Sequence, residues 1–437
     1  MKLNIISPKW PKHSLWGQIV FRFPYLSLTS LAALTDDKWE VAVIDENCQK
    51  IDFSDLPDLV AISLMTPLAN RGYKIADQYR SKGVTVILGG IHPTMMPGEA
   101  AAHADSLVIG EAEATWPQLL NDFKHNQLKT IYRSTGFHPL VNMKPPKRDI
   151  LPPKTYFFTN TVQTTRGCPF NCDFCSVTSF YGRTYRTRPV AEVIREIEPM
   201  AGGHIFFVDD NIVGKPSYAK ELFKAIEPLK IRWLSQASLS IAQDRELLRL
   251  AQKSGCKGLF IGFESLSQEN LKAMGKSVNQ VKKFREAIKQ IHDYGIGIQG
   301  SFIFGNDHDD QTVFEDVVRF VEKSHLETAI FSVLTPFPGT RIYDRLKREN
   351  RIINTNWDLY DMNHVVFKPA RMTPEQLQKG LYKAYEKLYG IPSIIKRFFP
   401  LNKNSLFFGI QNYGFRRAWL KTIKQSAITR QHITGKK

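Results

Sequence analysis

A chain of 437 residues is long enough for two or three domains with separate cores, at about 150 residues per domain. Hydrophobic residues make up 43% and charged residues 23%, and no apolar run approaches the roughly 18 residues of a membrane span, so a bilayer-crossing chain is not expected. The formal charge of +17 is unevenly spread: ten Lys or Arg and no Asp or Glu lie between Ile391 and Lys437, which makes the charge a property of the tail rather than of the whole surface.

In chain order, MKLNIISPKWPK has too short an apolar run for a secretory leader and reads as the first strand of a cytoplasmic protein. Strand-like NIISP, EVAVIDE, LVAISLM, VTVILGG and SLVIGE alternate with helix-like PYLSLTSLAAL, NRGYKIADQYRSKG and ATWPQLLNDF over residues 1–125. That alternation predicts an α/β domain, doubly wound and Rossmann-like, with helices on both faces of a parallel sheet. Residues 126–155 lack periodicity and are rich in Pro and Lys, as a linker would be. Six further strand–helix units over 156–340 are too few for an eight-stranded barrel and predict a partial, six-unit TIM-type barrel with its chemistry at the C-terminal strand ends. Residues 341–437 predict a mainly helical region over the barrel mouth, ending in the basic tail. That tail reads as a helical cap with a frayed end, or as a segment meeting a membrane surface. Nucleic acid is the least favoured partner, since no RNA-binding module accompanies the charge.

Three of the five cysteines, Cys168, Cys172 and Cys175, fall in TTRGCPFNCDFC directly after the strand TNTVQTT. An odd count with three clustered is not an evenly paired disulfide framework, and reduced, metal-binding thiols fit it better. Thiolates bind iron–sulfur clusters, and a cubane usually takes four; three leave one iron open. A structural zinc would want a fourth Cys or His near this loop, and none is there. Gly167 and Pro169 permit a tight wrap, and Phe170, Phe174 and Phe180 could shield the centre from water.

This C-x3-C-x2-C loop resembles the signature of the radical S-adenosylmethionine (SAM) enzymes. The resemblance implies a 4Fe–4S cluster on Cys168, Cys172 and Cys175, with SAM on the open iron through its amino and carboxylate groups. Reductive cleavage would then give a 5′-deoxyadenosyl radical. By the same resemblance VDDN (Asp209, Asp210, Asn211) meets the SAM amino group, GFES (Glu264) the ribose or methionine, and GSFIFG (Gly300 to Gly305) the adenine, with Phe174 counted among the SAM contacts. Read singly, carboxylates at strand ends such as Asp209 and Glu264 are also commonly helix caps.

DLVAISLMTPLANRGYKIADQYRSKGVTVILGGIHPT is similar to the cobalamin-binding domain of methionine synthase and of many radical SAM proteins. The resemblance implies that Ser63 and Thr66 line a slot for the nucleotide tail, that Gly89 and Gly90 let backbone lie against it, and that His92, Gly110 and Glu111, with Glu113, belong to the same site, His92 either as a contact or only as the residue that orients its loop. Small residues are what a large flat ligand at a sheet's C-terminal edge requires, although a Gly pair alone is also a plain strand-to-loop turn. The D-x-H-x-x-G ligand motif is missing from SPKWPKHSLWGQ, so His13 is by default a surface histidine. The C-terminal portion (FGNDHDDQTVFEDVVRFVE, LTPFPGTRIYDRLKRENRI, NWDLYDMNHVVFKPARMTPEQLQKG) is similar to the hopanoid C-2 methylase-like branch, where Trp357, Asp358 and Tyr360 either reach substrate or form a packed turn.

Together the two cofactors imply methylation of an unactivated carbon: one SAM methylates reduced cobalamin, a second yields the radical that activates the substrate carbon, and that carbon takes the methyl group. Radical rearrangement, cyclisation or oxidation without methyl transfer is the alternative within enzymes, and a cobalamin- or redox-sensing binding protein the alternative outside them. Expected partners are an electron donor such as flavodoxin or ferredoxin and a hydrophobic small molecule, a hopanoid-like lipid ahead of a tetrapyrrole or peptide-derived product. Peripheral membrane contact through the tail is a further expectation.

Overall fold

The structure, a computed structural model, describes residues 1–19, 22–153, 155–157, 159–398 and 405–434. Its first sheet contains β1 (Lys2–Ser7), β2 (Glu40–Asp45), β3 (Leu59–Ser63), β4 (Thr85–Gly89), β5 (Ser106–Ile109) and β6 (Ile131–Arg133), all parallel in the order β2-β1-β3-β4-β5-β6. Successive residues of a strand point to opposite faces, and here both faces are apolar. Leu3, Leu59, Ala61, Ile87 and Val108 pack with Leu28, Ala32, Trp116 and Leu119 on one side. Val60, Ile62, Val86, Leu88 and Leu107 pack with Ile75, Ala76 and Tyr79 on the other. This is the doubly wound arrangement that the continuous apolar runs predicted. β6 is a correction: it lies inside the stretch read as a linker, too short at three residues to give a period, and only Tyr132 of it is buried.

The second sheet contains β7 (Thr161–Val162), β10 (His204–Phe207), β11 (Arg232–Ala237), β12 (Cys256–Glu264), β13 (Gly297–Phe304) and β14 (Thr328–Val333), parallel in that order. A separate antiparallel ribbon, β8 (Thr165–Gly167) with β9 (Tyr185–Thr187), brackets the cysteine loop. Phe263, Phe284, Phe302 and Phe320 fill the space between sheet and helices, with Phe263 and Phe302 stacked at 5.4 Å.

An open barrel leaves β14 with a free edge, which would be a template for unwanted pairing. The helix Pro374–Leu388, started by a capping box at Thr373 and Gln376, covers it. Tyr385 donates its hydroxyl to the Phe331 carbonyl (2.7 Å) and accepts from the Phe331 N–H (3.1 Å), and Tyr389 donates to the Ala329 carbonyl (2.7 Å).

The C-terminal region does not simply cover the mouth. Of its elements, the turn Trp357–Leu359 packs into the first domain's core, with Tyr360 fully buried beside it. The helix Ser405–Thr434 instead reaches the N-terminal ends of the strands: a Cβ on Gly258 or Gly297 would lie 2.8 or 2.2 Å from the Phe408 ring. Phe415, Ala418 and Trp419 join the barrel core, so the basic segment is a docked helix and not a frayed end over residues 407–425. The remainder of the expected tail, 399–404 and 435–437, lies outside the described residues. No described helix is long and apolar enough to cross a membrane.

Candidate active site

The cysteine loop begins at Gly167, where φ is +88° and a Cβ would sit 2.2 Å from the Thr184 carbonyl oxygen, so glycine is required to leave the ribbon. The loop is then clamped from outside. Asp173 donates its N–H to the Met274 carbonyl (3.0 Å) and accepts from the Ile342 N–H (3.1 Å), while Arg341 grips its carboxylate at 2.5 Å. Burial raises all three thiols, Cys172 to about 12, and each lies within electrostatic reach of another of the three. Three half-buried thiols gathered on one loop are a donor set whose protons a metal would displace on binding. Among the described residues no three such groups converge on a single ion; a cubane asks for less, because each thiolate takes its own iron.

Of the residues expected to meet SAM, Asp209 has its hydrogen bonds within the protein. It is fully buried, and it accepts from the N–H and hydroxyl of both Thr164 and Thr165, which lead into the loop. Burial still holds its carboxyl up at about 6. The neighbouring residues reach the loop itself: Asp210 accepts from the Gly167 N–H at 3.1 Å, and the Asn211 amide lies 3.9 Å from the Cys168 sulfur. Gly300 and Gly305 have packing reasons of their own, since a Cβ would lie 3.0 Å from Leu326 at the first and 2.7 Å from Leu377 at the second. Phe174 is half-buried against the barrel core.

Glu264 is the unusual one. Its φ of +67° is left-handed for a bulky residue, at an irregularity in the β12–β13 register, a strain of about 1–3 kcal/mol that clusters at functional sites. Its carboxylate pairs with Lys276, and Lys276 and Glu264 both act electrostatically on Cys172. Lys276 was not singled out from sequence; it stands alone in the polar turn AMGKSV, and only the fold brings it to the thiols.

At the first sheet's C-terminal edge, Ser63 and Gly89 are register partners and both are half-exposed, while a Cβ on Gly110 (φ +82°) would meet nothing within 4 Å. This row of small residues leaves the open edge a flat ligand needs, and the cobalamin assignment fits there. Gly90 answers a different demand: with φ +98°, ψ −171°, a Cβ would lie 2.8 and 2.9 Å from the Leu64 carbonyl and nitrogen.

His92 and Glu111, expected at the cobalamin site, both have partners within the protein. His92 is fully buried, with Nε2 3.0 Å from the Tyr73 hydroxyl, Nδ1 3.4 Å from the hydroxyl of buried Thr66, and Trp357 edge-on at 5.1 Å. Burial lowers its pKa against the pull of Glu99, so it is a neutral core group holding the β3 and β4 loops together. Glu111 has all four acceptor positions taken by Arg166, Arg186 and the His138 N–H, and Glu113 pairs with Arg166 at 2.8 Å. His13 lies 3.2 Å from the Asp358 carbonyl and packs on His364. Trp357 donates to Glu99 at 2.7 Å, which makes 357–360 the packed turn.

The loops after β4 and β5 face the cysteine loop: helix Ile91–Met95 packs on helix Ser176–Tyr181, and Glu111 reaches Arg166. Two parallel sheets thus present their C-terminal edges to each other, one with three clustered thiols and the other with a row of small residues. That pairing defines a two-cofactor α/β enzyme.

The chain belongs to the radical SAM enzymes that carry a cobalamin domain: residues 162–321 match the Radical SAM superfamily and residues 15–120 the B12 binding domain. It is 34% identical to bacteriochlorophyllide d C-12(1)-methyltransferase of Chlorobaculum tepidum over 85% of this chain and 84% of that one. It is 26% identical to the hopanoid C-2 methylase of Rhodopseudomonas palustris over 78% of this chain and 68% of that one. Among solved structures, the fold is shared with the cobalamin-dependent radical enzyme OxsB (TM-score 0.70, 15% identity, 99% of this chain and 75% of that one). It is shared equally with the methyltransferase TsrM of Kitasatospora setae (TM-score 0.68, 15% identity, 98% and 99%). The family's cofactors are a 4Fe–4S cluster, SAM and cobalamin, and these relatives include methyltransferases.

Proposed function

We propose that this enzyme methylates an unactivated carbon of a hydrophobic ring-bearing small molecule, held between the two facing sheet edges. The observation that carries the reading is that juxtaposition: Cys168, Cys172 and Cys175 on one edge, and Ser63, Gly89 and Gly110 on the other. When bound, the cluster with SAM supplies a carbon radical and cobalamin supplies the methyl group.

The chain's own residues bind and orient. Cys168, Cys172 and Cys175 hold the cluster. Lys276 and Glu264 would receive SAM beside the open iron, the Glu264 carboxylate facing its ribose or methionine portion and Lys276 offering a cation to its carboxylate. Asn211 steadies Cys168, and half-buried Phe174 excludes water beside the loop. Ser63, Gly89 and Gly110 leave the open edge for the corrin and its tail.

For the substrate, the higher identity to the bacteriochlorophyllide methyltransferase favours a tetrapyrrole over a hopanoid, reversing the order expected from sequence. Incubation with SAM carrying a deuterated methyl group and a panel of chlorophyllides and hopanoids, read by mass, tests this; labelling of a hopanoid and of no tetrapyrrole would reject the preference. A lipid keeps one supporting feature. Ile410, Tyr413, Arg417, Leu420, Lys421 and Lys424 share one exposed face of the terminal helix, apolar and basic together, as a membrane-surface helix would have. Vesicle binding that survives their replacement by Ser and Gln would dismiss that contact.

A further inference from the structure

Arg166 and Arg186 are direct cross-strand partners in the β8–β9 ribbon. Like charges directly opposite each other destabilise a strand pair, and a two-stranded ribbon of three-residue strands is marginal by itself. Yet this ribbon carries the cysteine loop, since β8 ends at Gly167, next to Cys168. What stabilises it comes from the other domain.

Glu111 follows β5 across the Gly110 turn and enters between the two guanidiniums. One carboxylate oxygen accepts from Arg166 (2.6 Å) and Arg186 (2.9 Å), and the other from Arg186 (2.9 Å) and the His138 N–H (2.7 Å). Its side chain is 3% exposed. Burial alone would raise its carboxyl, but Arg186 and Arg166 hold it below the usual range, so the group is an anion. The Arg166 and Arg186 guanidiniums lie 5.9 and 5.7 Å from the Tyr181 ring, and Tyr181 ends the helix that starts after Cys175. Both flanks of the cysteine loop therefore rest on cations paired with carboxylates of the cobalamin domain: Glu111 bridges the two, and Glu113 completes the balance on Arg166 at 2.8 Å.

We propose that Glu111 is a positioning residue that couples docking of the cobalamin domain to ordering of the cluster loop, so that one ion cluster sets where the two cofactors stand relative to each other. The inference rests on the two-cofactor reading and not on any substrate. Arg186 grips the carboxylate with two nitrogens, and its contact with the His138 carbonyl (2.6 Å) brings the connecting segment into the same unit. The bidentate fork fixes orientation as well as attraction.

The test uses the full chain without and with cofactors. In the cofactor-free protein, Glu111→Gln should speed amide exchange of residues 165–167 and 185–187 by about tenfold or more, the scale of a lost charge-assisted bond, while β3 and β4 stay protected. Adding Arg186→Gln should restore part of that protection, because it removes the cation left opposed to Arg166; a general loss of packing gives no such rescue. In the loaded protein, with iron and cobalamin contents measured for each variant, the dipolar coupling between reduced cluster and cob(II)alamin should report a broadened distance in Glu111→Gln. Exchange changed by less than about twofold, or a double variant worse by the sum of the single ones, would overturn the proposal. A wild-type protein that takes up no cobalamin would count against the two-cofactor reading alone, and the exchange arm would still decide the role of Glu111.

Discussion

Gly90→Ala separates two reasons for a glycine in the cobalamin domain. If Gly90 serves only to let a ligand approach, the change should leave the ligand-free protein intact. The structure assigns it instead to the chain's own backbone. At φ +98°, ψ −171° an alanine is in a region open essentially to glycine alone, costing about 1–3 kcal/mol. Its Cβ would also stand 2.8 and 2.9 Å from two backbone atoms of Leu64, and forcing the β3 and β4 loops apart adds about 1–3 kcal/mol. A central value of about 4 kcal/mol corresponds to roughly a thousandfold loss of exchange protection. Gly110→Ala is the internal comparison: φ is +82° but nothing lies within 4 Å, so about 1 kcal/mol, or roughly fivefold, is expected. Hydrogen exchange of Leu59–Ser63 and Thr85–Gly89 in the cofactor-free protein reads both. Equal protection in the two variants, with cobalamin uptake lost only in Gly90→Ala, would refute the argument and return Gly90 to the ligand.

Three further outcomes are expected. Cys172→Ala should abolish the cluster's visible absorption and deoxyadenosine formation while cobalamin stays bound, because the thiol lies on the loop after β8 and the Ser63–Gly89 edge belongs to the first sheet; retained SAM cleavage would sink the cluster assignment. Lys276→Met should keep the cluster and weaken SAM binding by about 10- to 100-fold, the scale of a charge-assisted bond, measured by titration calorimetry on the cluster-loaded protein; unchanged affinity would remove Lys276 from the SAM site. The Glu111 carboxyl is depressed from its ordinary 4.5, so its stabilising contribution is fully present above that value and is lost as pH falls through the lower folded one. Ribbon protection should therefore hold flat from about pH 8 to about pH 5 and drop only in more acidic solution, and a fall near neutrality would contradict the assignment.

What sequence made legible was local. Apolar strands between amphipathic helices announced two parallel sheets, and the clustering of Cys168, Cys172 and Cys175 was visible because all three sit on one short loop. What it concealed depended on distant partners. Glu111 looked like part of a cobalamin turn, yet Arg166 and Arg186 lie 55 and 75 positions away. Asp209 matched a SAM motif, but its carboxylate closes on Thr164 and Thr165 across the sheet. His92 carried no local sign that Tyr73 and Trp357 would enclose it. The tail's charge suggested a loose end, whereas Phe408, Phe415 and Trp419, spaced among the basic residues, dock it.

The central claim is that one chain runs polar methyl transfer to cobalamin and radical cleavage of SAM together. It is tested most directly by quantifying 5′-deoxyadenosine and S-adenosylhomocysteine from anaerobically reconstituted protein given SAM, cobalamin, a strong reductant and the best substrate of the chlorophyllide and hopanoid panel. Both products, with S-adenosylhomocysteine lost when cobalamin is withheld and deoxyadenosine lost in Cys172→Ala, are predicted. Deoxyadenosine with no S-adenosylhomocysteine, at full cobalamin occupancy and with substrate consumed, would contradict methyl transfer and identify a non-methylating radical enzyme.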